Sequence, residues 1–190
     1  HKAGMHADGV LKLSSSFEHI SPESVGNTRR FLTSEMAGRT VILKKLEDYF
    51  PNLKKDSPEM EQIMTALKEK EHAGYQYEGA DSSFELLAVR SMGKYHPFFE
   101  LINYKIISGQ PSEPGCSASA TVKVRVEDKV QLMAAEGNGP VNALDKALRS
   151  ALEVFYPCLA GVHLIDYKVR VLDEKDATAA RVRVLITSAD

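Results

Sequence analysis

The amino-acid sequence predicts an α+β protein, with small helical subdomains followed by a repeated unit of three strands and a helix. Three observations carry this. Apolar residues fall at helical spacing from Ser21 to about Gly93, a strict two-residue alternation begins at Ala118, and the same strand pattern returns after a further helix. Taken in order, Arg39 to Phe50 is expected to be helical because Val41, Ile42, Leu46 and Tyr49 share a stripe. Asp56-Ser57-Pro58-Glu59 has the order of a capping box, with Asp56 as cap and proline early in the first turn. Met60, Ile63, Met64 and Leu67 follow on one face, and Gly74 is the expected stop. A further helix is predicted from Asp81 to Met92, with Phe84, Leu87 and Val89 apolar and Gly93 ending it.

Past Tyr95-His96-Pro97 the period changes. Ala118, Ala120, Val122, Val124 and Val126 alternate with Ser119, Thr121, Lys123, Arg125 and Glu127, the pattern of a strand with one wet face. Phe99 to Ile107 and Lys129 to Ala135 read as its neighbours. Pro140 opens a helix whose stripe is Val141, Leu144, Ala147, Leu148, Ala151, Leu152 and Phe155, ended at Pro157. The unit then restarts: Ile102-Asn103-Tyr104-Lys105-Ile106 returns as Ile165-Asp166-Tyr167-Lys168-Val169, and Val122 to Val126 returns as Ala180 to Val184. The second copy reaches Asp190 after two strands, where the repeat calls for a third strand and a helix. The expected organisation is three parts, residues 1–50, 51–95 and 96–190, with the repeat in the last.

Composition excludes several classes. Hydrophobic residues at 43% and charged residues at 26% describe a globular chain, and a formal charge of −2 gives no broad footprint for nucleic acid or an anionic membrane. No apolar run has the length of a transmembrane helix, which together with two cysteines of non-metal spacing, Cys116 and Cys158, leads to a cytoplasmic expectation.

The densest chemistry lies at the start, His1-Lys2-Ala3-Gly4-Met5-His6-Ala7-Asp8-Gly9-Val10-Leu11-Lys12, which reads as half of an active-site loop. That motif comes with Phe17-Glu18-His19-Ile20-Ser21-Pro22-Glu23-Ser24-Val25-Gly26-Asn27, Arg29-Arg30, Gly74-Tyr75-Gln76-Tyr77-Glu78, Ser83-Phe84-Glu85-Leu86-Leu87 and Gly137-Asn138-Gly139-Pro140-Val141. In this order they resemble the citramalate synthase branch of the 2-isopropylmalate synthase and homocitrate synthase family, over essentially the whole chain. Phe17 departs from the family, where a tyrosine often stands.

The resemblance implies an acyltransferase in which an N-terminal barrel carries a divalent metal, the general base and the 2-oxoacid site. The helical linkers and a homodimeric regulatory domain come after it. The reaction implied is condensation of acetyl-CoA with pyruvate in isoleucine biosynthesis. It needs a base at the methyl group, a Lewis acid at the ketone and a donor for the developing oxyanion. With the first two absent, this chain by itself is expected to be inactive. His6 is the residue assigned to proton handling, since imidazole titrates near neutrality. Asp8 either orients that imidazole or contacts acetyl-CoA, and Gly4 and Gly9 let the segment approach a ligand. No metal site is expected within the chain, because His1 and His6 lack a third ligand. Arg29 and Arg30 are read as solvated surface, with CoA phosphates the alternative.

A second site is expected where Gly137-Asn138-Gly139 enters the helix at Pro140, because the free N–H groups of a first turn favour a carboxylate. A tight turn demanding glycine is the competing reading of those residues. The resemblance implies a feedback pocket for a branched-chain amino acid, isoleucine first, with Gly137, Asn138, Gly139 and Val141 on one side and Leu164, Tyr167 and Val171 on the strand. Tyr167 and Val171 share a strand face, and Leu164 has the opposite parity. The alternatives are a 2-isopropylmalate synthase with leucine feedback, a homocitrate synthase, a free-standing amino-acid sensor, and a dimerisation module with a vestigial pocket.

Overall fold

The computed structural model describes residues 4–14, 17–28, 38–109 and 117–190, with the backbone alone at 4–7 and 174. The chain is α+β. Helices α1 (Gly4–Lys12), α2 (Arg39–Leu46), α3 (Pro58–His72) and α4 (Asp81–Ser91) precede strands β1 (Glu100–Ser108), β2 (Ala118–Val126) and β3 (Lys129–Gly137), helix α5 (Pro140–Glu153), and strands β4 (His163–Val171) and β5 (Val182–Ala189). Two compact units form, residues 1–95 with 169–183 and residues 96–168 with 184–190.

In the first unit Ile42, Leu46, Phe50, Met60, Ile63, Leu67, Phe84 and Ala88 make one buried cluster with Tyr77, whose ring meets Phe84 edge-on at 6.5 Å. The α3 stripe is in place, with Met60, Ile63 and Leu67 buried and Met64 packed partly against them. Two details differ from expectation. Helix α2 ends at Leu46, so the chain turns and buries Phe50 while Tyr49 stands 53% exposed and donates its hydroxyl to Glu85 at 3.0 Å.

The cap of α3 is Ser57, not Asp56: the Ser57 hydroxyl accepts from the Met60 N–H at 3.3 Å. Pro58 decides this, because proline fits best at the first helical position and the residue before it must then be the cap. Hydrogen bonds from its own backbone N–H and from the Ser57 hydroxyl hold the Glu59 carboxyl below its usual range. Ser57→Ala should therefore lower stability by about 1 kcal/mol, and Asp56→Ala by far less, as read from denaturation midpoints.

In the second unit β1, β2 and β3 form an antiparallel sheet with β2 central. Its dry face carries Ala118, Ala120, Val122 and Val124, and α5 lies on it with Ala143, Ala147, Ala151 and Leu152 buried. Here the expected stripe is corrected. Val141 is 51% exposed, Ala143 takes the contact, and α5 ends at Glu153, before Phe155. The i, i+4, i+8 row of alanines wins because small residues on both surfaces let the helix backbone approach the sheet closely. The second copy of the repeat is present as β4 and β5, which pair with each other; β5 begins at Val182, so Ala180 and Arg181 precede it.

Candidate functional site

The opening segment, expected as a loop, is helical from Gly4 to Lys12. Two glycines disfavour that conformation, but Val10 is buried at 4% exposure and the Asp8 carboxylate pairs with Lys12 one turn on, at 2.7 Å. Lys12, first, and the Thr40 hydroxyl hold the Asp8 carboxyl below its ordinary value. Helical geometry sets positions 6 and 8 about 200° apart around the axis. The Asp8 carboxylate is turned to Lys12 and Thr40. His1, Arg29, Arg30 and the side chain of His6 lie outside the described residues, as does Cys116; Cys158 is an exposed free thiol. Among the described residues, no three His, Cys, Asp or Glu side chains are grouped to hold a metal ion.

The second candidate sits where β3 enters α5. Gly137 is buried, and a β-carbon there would lie 2.5 Å from the Ala143 nitrogen. Its side-chain position is filled by the first turn of α5, so this glycine is required by close approach. Gly139 differs: its backbone is extended, at φ 179° and ψ 173°, and its β-carbon position is open. Position 139 therefore has no steric or conformational need for glycine.

The Asn142 side-chain oxygen accepts from the Asn138 N–H at 3.2 Å, and the Ser117 hydroxyl donates to the Asn138 carbonyl at 2.5 Å. Asn142, missed in the sequence, is the third helical residue, a position from which a side chain reaches back to the preceding backbone. Its signal was the distance of two residues from Pro140. One turn further, Lys146 donates to the Glu136 carbonyl at 3.2 Å. The entrance of α5 is thus a braced turn, with the Val141 and Asn142 N–H groups at a helix end that favours anions.

The other three proposed pocket residues are on β4. Tyr167 and Val171 share a face, and Leu164, inside the strand, lies on the other, so the three do not form one wall. Val141, Leu164, Tyr167 and Val171 are between 40% and 51% exposed, too open to enclose an apolar ligand within one chain. Val171 lines a cavity of about 690 Å³ at the β4–β5 connection, together with Arg170, Leu172, Asp173, Lys175, Asp176 and Arg183. That cavity was not foreseen, since charged residues near a strand end read as solvated.

A helical segment followed by a sheet unit covered by one helix, with a second strand pair after it, defines an α+β protein. Residues 78–190 match the LeuA allosteric (dimerisation) domain, and residues 1–74 match the homocitrate synthase post-HMGL domain-like model. The chain belongs to the LeuA allosteric-domain family. Its whole length is similar to (R)-citramalate synthases from Geobacter sulfurreducens, 48% identical, Aquifex aeolicus, 43%, and Sulfolobus acidocaldarius, 38%. It spans about a third of their length, 36%, 36% and 35% respectively. No described helix is long and apolar enough to cross a membrane.

Proposed function

We propose that this chain is the linker and regulatory part of an (R)-citramalate synthase, in which acetyl-CoA condenses with pyruvate on the way to isoleucine. The observation that carries the reading is identity of 38–48% along the entire chain to relatives of that name, with the allosteric domain in the same span. In this reading residues 1–50 and 51–95 are linker subdomains and residues 96–190 the regulatory domain. A divalent metal, the general base and the oxoacid site belong to a barrel outside the chain, and the chain alone is inactive. His6 handles a proton at that site, and Asp8 orients its imidazole or contacts acetyl-CoA.

In the same reading, isoleucine acts as feedback effector at the α5 entrance. The open N–H groups there suit an amino-acid carboxylate, and the exposure of Val141 and Tyr167 suits a pocket closed by a second copy of the chain. Calorimetric titration of the full-length protein with isoleucine, leucine and valine tests this. Preferential isoleucine binding, with turnover of pyruvate over 2-oxoisovalerate, is the expected result. Preference for leucine and 2-oxoisovalerate would replace it with a 2-isopropylmalate synthase.

A further inference from the structure

The connection between β4 and β5 holds a group of charges that neither the proposed catalysis nor the proposed feedback site uses. Arg170, near the end of β4, Lys175 in the connection and Arg183, at the start of β5, line one cavity of about 690 Å³. Two acids share the lining, but the Asp173 carboxylate is already engaged by the Arg181 guanidinium at 2.7 Å. Among the described residues, Asp176 is left to face three cations.

Arg183 is the informative member. Its Nη1 donates to the Gly74 carbonyl at 3.0 Å, whereas its Nε is shut away from solvent without any acceptor. Buried charged donors are normally satisfied, so an unpaired one calls for a missing partner. The edge that Gly74 does not use, Nε with Nη2, has the shape of the fork that grips a carboxylate or phosphate through two parallel hydrogen bonds. The connection itself is strained where it borders the lining: Ala177, next to Asp176, holds φ 45° and ψ −118°. For a residue with a β-carbon that conformation is costly, and such positions gather at ligand sites.

We propose that this cavity binds a small oxyanion, a phosphate or a carboxylate, on Arg183 with Arg170 and Lys175 around it. Three cations against one unengaged acid favour a dianion, and the fork favours planar paired oxygens over a halide. The test is calorimetric titration of the full-length protein, at constant ionic strength, with inorganic phosphate, succinate and acetate in separate arms. The expected result is saturable binding of phosphate or of succinate, the arm that binds naming the source.

That binding should weaken about tenfold in Arg183→Lys, which keeps the charge but loses the fork, and in Arg170→Gln, an exposed change that leaves the Arg183 bond to Gly74 intact. Lys168→Gln, on β4 but outside the cavity, should leave it unchanged. Binding equal in the parent and both arginine variants would place the anion elsewhere and overturn the proposal. So would the absence of saturable binding in all three arms up to about 50 mM.

Discussion

Phe84→Ala is expected to lower the stability of the helical unit by about 3–5 kcal/mol, the range for deleting a fully buried aromatic side chain. Phe84 is 0% exposed and sits among Ile42, Leu46, Met60, Ile63 and Leu67, so truncation leaves a hole lined on every side by apolar groups. The neighbours have little freedom to fill it, because α3 and α4 each hold their own buried row at fixed spacing. The loss includes the edge-on contact with Tyr77, worth about 1 kcal/mol beyond its area. Leu86→Ala, at a side chain 43% exposed two residues on, is the matched control and should cost far less.

The chain has no tryptophan, so tyrosine fluorescence and near-ultraviolet circular dichroism would report the change. Tyr77, buried against Phe84, is the natural probe. Because the chain has two compact units, the unfolding curve must be fitted for more than one transition before a midpoint is assigned. A loss below about 1 kcal/mol would mean that Phe84 does not anchor this cluster.

What the sequence made legible, and what it hid, follows from where the deciding force acts. Strand β2 could be bounded from residue letters because one face is dry along its whole length, and a one-residue slip would move Val122 and Val124 into water. Helix α3 was equally clear, since its stripe and first-turn proline are local. Its cap was misplaced by one residue because Asp56 and Ser57 are both good caps, and the choice turned on the position of Pro58.

Helix α1 was misread for the opposite reason. Gly4, Gly9, His6 and Asp8 favour a loop locally, and burial of Val10 overrides them, a contact invisible in the segment's own letters. Ala143 was left out of the α5 stripe because alanine carries little hydrophobic signal, although with Ala147 and Ala151 it lets the helix lie close to Ala118 and Ala120. Of the candidate site, the loop at 137–141 was legible as punctuation before a helix. The cavity around Arg183 was not, because it takes two strand ends, the connection between them and the carbonyl of a residue more than a hundred positions away.

Gly137→Ala should destabilise the sheet unit by about 1–3 kcal/mol, the cost of forcing atoms into a packed site. The added carbon would meet the Ala143 nitrogen at 2.5 Å, the Asn142 side-chain oxygen at 2.6 Å and the Asn142 carbonyl carbon at 2.9 Å. Two of these three atoms are helix backbone, so relief cannot come from a side-chain rotation alone. The first turn of α5 must lift, which strains the Asn142 bond to the Asn138 N–H and pulls Ala143 from the sheet.

Gly139→Ala separates this steric effect from loss of chain flexibility. Its backbone is already extended and its β-carbon position is open, so the change should be neutral or stabilise by about 0.4–1 kcal/mol through the unfolded state. Denaturation midpoints for the two variants, with hydrogen exchange of the first-turn amides of α5, would test the pair. Faster exchange at Ala143 in Gly137→Ala, and unchanged exchange in Gly139→Ala, is the expected pattern. Equal loss in both would show that the segment needs glycine for its freedom, and the close approach of α5 would then not be what makes Gly137 necessary.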